Sequence, residues 1–133
     1  MKLKKLLEDN TDFEFKLDEI DAISDSNILK GIAESNSDYR LRLKAVQRIF
    51  DDEFLNDIIY SDSNRKVMLA AVKNINNQSF LEDIAENHSD CHVRIEAIGK
   101  IRDKSILEEI YKNESNKHVK KVALERINQQ SLI

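Results

Sequence analysis

His92 and His118 stand 26 residues apart, with Cys91 beside the first and His88 four residues ahead of it. Imidazole and thiolate are good ligands for a zinc-like ion, but a metal site needs three or four such groups converging on one point. Neighbouring helical residues diverge by about 100°, so Cys91 and His92 cannot aim at a common ion from one helix. No Cys-x-x-Cys or His-Glu-x-x-His spacing accompanies them. Gly31 and Gly99 are isolated and form no phosphate-cradling loop. The carboxylate pairs Glu82–Asp83 and Glu108–Glu109 fall on the solvent side of predicted helices, where nothing would tune a pKa for acid–base work. Serines cluster at predicted helix starts and turns, where capping accounts for them. The residue types therefore predict no catalytic residue, no metal site and no cofactor.

The spacing of the two histidines is the period of the whole chain. Five 26-residue blocks follow without insertion or deletion, at 2–27, 28–53, 54–79, 80–105 and 106–131. One column reads Leu3, Leu29, Leu55, Leu81, Leu107; another Leu6, Ile32, Ile58, Ile84, Ile110; a third Ile23, Ile49, Ile75, Ile101, Ile127. Such registration marks one supersecondary unit repeated along a single domain spanning 1–133. In the fourth block Leu81, Ile84 and Ala85 have helical spacing, and Ser79 with Glu82 reads as a capping box; Ser105 with Glu108 repeats it. Asn87-His88-Ser89 ends that helix, and Ser89 or Asp90 starts a longer one carrying Val93, Ala97, Ile98 and Ile101 inward. Each unit is thus helix, turn, helix, turn, and helices this short need stacked neighbours to be stable. The column Ala45, Ala71, Ala97, Ala123 marks close backbone approach. Charges replace apolar residues toward the ends, at Lys2, Glu19 and Lys121, whereas Leu132-Ile133 makes an apolar end that suggests a monomer or a weak homo-oligomer.

Bulk properties agree with a folded, well-solvated helical chain. Hydrophobic residues make up 41% and charged residues 35%, Pro and Trp are absent, and only two glycines interrupt the helices. A net charge of −4 argues against general polyanion binding. Cys91 is the only cysteine, which allows no internal disulfide and fits a reducing, cytoplasmic setting. No apolar run approaches a membrane span, and the first residues turn acidic before any signal-like apolar core forms.

The pattern Leu81…Ile84-Ala85…Asp90…Val93-Arg94…Ala97-Ile98 resembles the HEAT repeat in its short bacterial and archaeal form, and the likeness runs through all five blocks. The resemblance implies an all-α fold, an α-solenoid (superhelix) of five helix–turn–helix HEAT-like repeats, acting as a binding scaffold. It also implies an Asp–Arg ladder between adjacent repeats, carried here by Asp38 with Arg42 and Asp90 with Arg94. Asp12 with Lys16 and Asn116 with Lys120 are softened versions, and Asn64 with Met68 interrupts the ladder in the middle block. The HEAT-like enzymes, among them DNA glycosylases and bilin lyases, are generally larger than this chain, and the glycosylases use aromatic residues in a basic groove.

In such an array the second helices line the concave face, so their outward columns form the expected recognition surface. The first rung is acidic, with Glu14, Asp18 and Asp21. The next two carry Arg40, Lys44, Arg48, Lys66 and Lys73, a basic mid-groove patch with no acid in it. This patch suits an acidic surface on a protein partner. Weak binding of nucleic acid or another phosphate-containing ligand is the alternative, made unlikely by the lack of aromatics on which bases could stack.

Overall fold

In the computed structural model the described residues are 13–131, and all regular structure among them is α-helical. In chain order the helices are α1 (Phe13–Ala22), α2 (Ser26–Ser35), α3 (Tyr39–Val46), α4 (Asp52–Ser61), α5 (Arg65–Asn74), α6 (Gln78–Asn87), α7 (Cys91–Ile98), α8 (Lys104–Asn113) and α9 (Lys117–Ser131). The odd-numbered helices are the second helices of successive blocks and the even-numbered ones are the first helices. The opening of the first block, including Lys2, Leu3, Leu6 and Asp12, and the tail Leu132-Ile133 lie outside the described residues.

The chain divides into two compact units, Met1–Asn74 and Ile75–Ile133, at the turn that follows the second helix of the third block. In the first unit, α2 packs on α3 and α4 on α5 as hairpins; α1, α3 and α5 then pack side by side, and α2 lies against α4. The second unit repeats this with hairpins α6–α7 and α8–α9, joined through α7 with α9 and α6 with α8. First helices thus form one layer and second helices another within each unit, the neighbour packing a helical-repeat solenoid requires.

Helices of eight to ten residues are mostly ends, and each end leaves backbone N–H or C=O groups without a partner inside the helix. Side chains at fixed places in the repeat satisfy the starts. Asp25, Asp51, Asn77 and Asp103 cap the first helices, accepting from the N–H groups of Asn27 and Ile28, Phe54, Phe80 and Ser105 respectively. Asp38, Asn64, Asp90 and Asn116 cap the second helices in the same way. Between Ser89 and Asp90 the cap is therefore Asp90. The capping boxes expected at Ser79 and Ser105 are displaced: Asn77 and Asp103 stand two residues earlier and start the helix there, leaving both serines inside it. Asp and Asn cap at least as well as Ser, so the earlier start gains helix without losing a cap. The Ser105 hydroxyl instead donates to the Asp103 carboxylate at 2.6 Å.

The core follows the apolar columns. Leu55, Leu81, Leu107, Ile84, Ile75 and Ile101 are fully buried, as is every member of the column Ala45, Ala71, Ala97, Ala123. A methyl is all the space between packed second helices admits at that column. Ala71→Leu is expected to destabilise the chain by about 1–3 kcal/mol through overpacking, read as a lower denaturant midpoint at unchanged slope. An unchanged midpoint would show that the helices are not in close contact there.

Candidate functional site

Three polar columns surround the turns, and their contacts engage many of the charges read from the sequence. The first lies between the paired helices. Asn36, Asp62, His88 and Glu114 occupy equivalent places, and each accepts a hydrogen bond from the backbone N–H two residues on, at 2.8, 2.9, 3.0 and 3.0 Å. For His88 the acceptor is Nδ1, and the ring is buried at 6% exposure. Amide, carboxylate and imidazole are interchangeable at this place because each offers one lone pair at the right reach.

The same column receives the arginines. Arg42 donates through Nε and Nη2 to both oxygens of Asp62 at 2.9 and 3.1 Å, and through Nη1 to the carbonyls of Asn36 and Ser37. Arg94 repeats the arrangement, with both oxygens of Glu114 at 3.2 Å and the carbonyls of His88 and Ser89. The pairs expected from the resemblance, Asp38 with Arg42 and Asp90 with Arg94, are therefore not the ones the arginines make. Asp38 and Asp90 are occupied as helix caps, and the arginine reaches instead to the turn carboxylate of the following block. Met68 stands at the arginine place in the third block, so one such pair lies in each unit. At the equivalent place of the last block Lys120 lies over the Tyr111 ring, 4.9 Å from its centroid.

A further column, unrecognised in the sequence, reaches backwards. Arg48 donates to the Ile20 carbonyl at 2.6 Å; Asn74 donates to those of Val46, Gln47 and Ile49, each at 3.1 Å; Lys100 donates to Ile75; and Arg126 donates to Ile101 at 3.2 Å. Within each unit Arg48, Asn74 and Arg126 thereby tie the end of a second helix to the carbonyls at the close of the preceding one. A helical wheel carried through these residues turns them outward, but α3 and α7 end at Val46 and Ile98 and the chain then turns. Beyond that point the wheel angle no longer applies. Four donors of different shape fill this column, Arg, Asn, Lys and Arg, and their shared ability to donate to a carbonyl is the signal that could have revealed it.

These contacts redistribute the basic patch. Arg48 is half-buried in its link to Ile20. Arg40 lies on the surface but forms a two-pronged pair with Asp38 at 2.8 and 3.1 Å and sits 3.9 Å from the centre of the Phe13 ring. Its guanidinium holds the Asp38 carboxyl below the usual carboxylate range. Lys44 pairs with Asp21 at 3.2 Å, so the acidic rung on α1 meets part of the basic one. Lys66 and Lys73 are exposed on α5. They border a shallow open cavity of about 280 Å³ with half-buried Leu43 and Leu69 in its lining, together with Gln47, Ala70 and Asn74. Of the five patch residues, the structure brings Lys66 and Lys73 to the border of one cavity, away from Arg40, Lys44 and Arg48.

The side chains weighed for chemistry are scattered. His92 and His118 are exposed, Cys91 is partly buried, and no group of three or more His, Cys, Asp or Glu among the described residues converges to hold a metal ion. Gly31 lies inside α2 and Gly99 at the end of α7 in ordinary right-handed backbone. Two clefts at the helix turns are built around the Arg42–Asp62 and Arg94–Glu114 pairs, whose guanidinium donors are already engaged. No described helix is long and apolar enough to cross a membrane. Comparison with protein-family models, with curated proteins and with solved structures finds no match in any of the three.

Two predictions come from these contacts. Arg42→Met leaves a 4%-exposed Asp62 carboxylate without its counter-ion and is expected to cost about 3 kcal/mol; Asp62→Asn in the same chain keeps the acceptor for Asn64 N–H and should recover most of that loss. Equal stability of the single and double variants would show that the ion pair is not what Arg42 contributes. The second concerns acid. The Lys30 ammonium holds the Asp51 carboxyl below its ordinary value and the Ser105 hydroxyl does the same for Asp103. A depressed folded-state pKa gives stability that is present above the unfolded value of about 3.9 and is lost as pH falls through the folded one. The melting temperature should therefore fall below about pH 4. Asp51→Asn with Asp103→Asn, which keep the caps and remove the titration, should flatten that fall, and an unaltered slope would contradict the assignment.

Proposed function

We propose that the chain is a HEAT-like repeat protein acting as a non-catalytic interaction scaffold, and that it engages a protein partner through the second-helix face of its first unit. One observation carries this reading. On α3 and α5 the half-buried leucines Leu43 and Leu69 lie beside the exposed side chains of Lys66 and Lys73, at a shallow cavity on the second-helix face. An apolar floor with a positive rim is the composition of a small protein-binding patch. A cytoplasmic location belongs to the same reading, supported by the solitary Cys91.

The phosphate-ligand reading draws less support from the geometry. A backbone of phosphates needs a run of available cations, and Arg40, Lys44 and Arg48 are engaged with Asp38, Asp21 and Ile20. Titration with single- and double-stranded oligonucleotides at low salt should show no saturable binding; tight, salt-sensitive binding would favour that reading over the scaffold.

The scaffold reading is tested by quantitative cross-linking in cells of the source organism, with wild type, Lys66→Glu/Lys73→Glu, and Lys104→Glu/Lys117→Glu as a charge-matched control on the second unit. The expected outcome is loss of the cross-linked protein set in the first variant and retention in the control. The same set in all three would place recognition elsewhere.

A further inference from the structure

We infer that His88 makes the second unit sensitive to mild acid: a proton on its Nδ1 opens the turn between α6 and α7 and loosens the grip of Arg94 on the next turn. Nothing in this device requires a bound partner, so it stands apart from the scaffold reading. Among the described members of its column, His88 alone is of a type that titrates near neutral pH. Asn36 does not ionise, and Asp62 and Glu114 are carboxylates, a type that takes up protons near about pH 4. The imidazole is 6% exposed and accepts the Asp90 N–H at Nδ1, 3.0 Å away, so its own proton sits on Nε2. A second proton turns that acceptor into a donor, and two N–H groups then face each other across the turn. Only an opened turn gives both of them an acceptor.

The opening spreads through one carbonyl. That of His88 accepts from Arg94 Nη1 at 2.8 Å, and the same guanidinium holds both oxygens of Glu114. Moving residue 88 therefore removes an anchor of the pair that ties α7 to the turn before α9. Solvent protons have a way in, because His88 lines an open cleft of about 470 Å³ together with Glu86, Arg94 and Glu114. Within the unit, the charges around the ring give an added proton little compensation. Arg94 repels it, and Glu114 is already paired with Arg94. The Asp90 carboxylate accepts from the N–H groups of His92 and Val93 as the cap of α7. Glu86 is exposed on α6, where its charge is screened. A proton that binds the opened turn and not the closed one favours opening. The link is thus intact above the ordinary histidine range of about pH 6.5 and is lost as pH falls below it.

The test is hydrogen exchange with NMR detection on the full chain, from about pH 7.5 to about pH 5, read as protection factors so that the intrinsic pH dependence of exchange drops out. The Asp90 amide should lose protection by up to about tenfold per pH unit below about pH 6.5. The Asp38 amide, held by Asn36, is the control in the same molecule and should keep its protection. His88→Asn supplies the acceptor that Asn36 provides in the second block and should make Asp90 as indifferent to acid as Asp38. The ring protons of His88 give a second readout that needs no variant. They should titrate together with the loss of Asp90 protection, while the exposed His92 and His118 titrate without it. A protonated His88 beside a still-protected Asp90 amide, or Asp90 protection unchanged down to about pH 5, would overturn the inference. Equal loss at Asp90 in wild type and His88→Asn, or equal loss at Asp38, would do the same.

Discussion

Everything in this chain depends on satisfying the ends of very short helices. A helix of ten residues has four N–H groups at one end and four carbonyls at the other with no partner of its own. In water that cost would leave each helix marginal. From the second block to the fifth the repeat supplies an acid or amide at each helix start, an acceptor in the turn between paired helices, and a donor reaching back to backbone carbonyls of the preceding block. Because the last of these joins one block to another, closing a helix and fixing the next block are the same event. Apolar burial then acts on helices whose register is already set.

The two arginine–carboxylate pairs belong to the same economy of ends. Each guanidinium bonds a turn carboxylate of the following block and two carbonyls of its own turn, so one residue joins both turns. Their carboxylates are only 4% and 9% exposed, and fork-to-fork geometry is what makes a pair so far from water worthwhile. Charge used this way is lost to recognition. This is why counting lysines and arginines along the outward columns overstates the patch: Arg48 serves packing, and Arg40 and Lys44 have their own carboxylates.

Much of this was legible in the sequence because packing imposes residue type. Leu and Ile recur every 26 residues where they are buried, and Ala recurs where second helices touch, so the fold class and the block boundaries follow from the columns. The links were harder to see because they impose only a capability. Asn36, Asp62, His88 and Glu114 share nothing but an acceptor, and Arg48, Asn74, Lys100 and Arg126 share nothing but a donor. Columns so varied look free to vary. The expected Asp–Arg ladder failed in the same way: the pattern contains the right arginine, but its nearest acid in sequence, Asp38 or Asp90, is needed one turn away as a cap. The candidate site was half visible. Its lysines were read from charge, whereas its floor depends on Ala70, whose small size matters only once Leu43 and Leu69 are placed beside it.

The most direct test of this account is native-state hydrogen exchange at the amides of Asp38, Asn64, Asp90 and Asn116. These amides sit in turns outside the helices, and each donates to the side chain two residues before it. If the turn links hold the blocks in register, these amides exchange as slowly as those inside the flanking helices, through the same cooperative opening. Exchange at the rate of an unstructured peptide, with the helices still protected, would contradict the central claim and return the stability of the chain to its apolar columns alone.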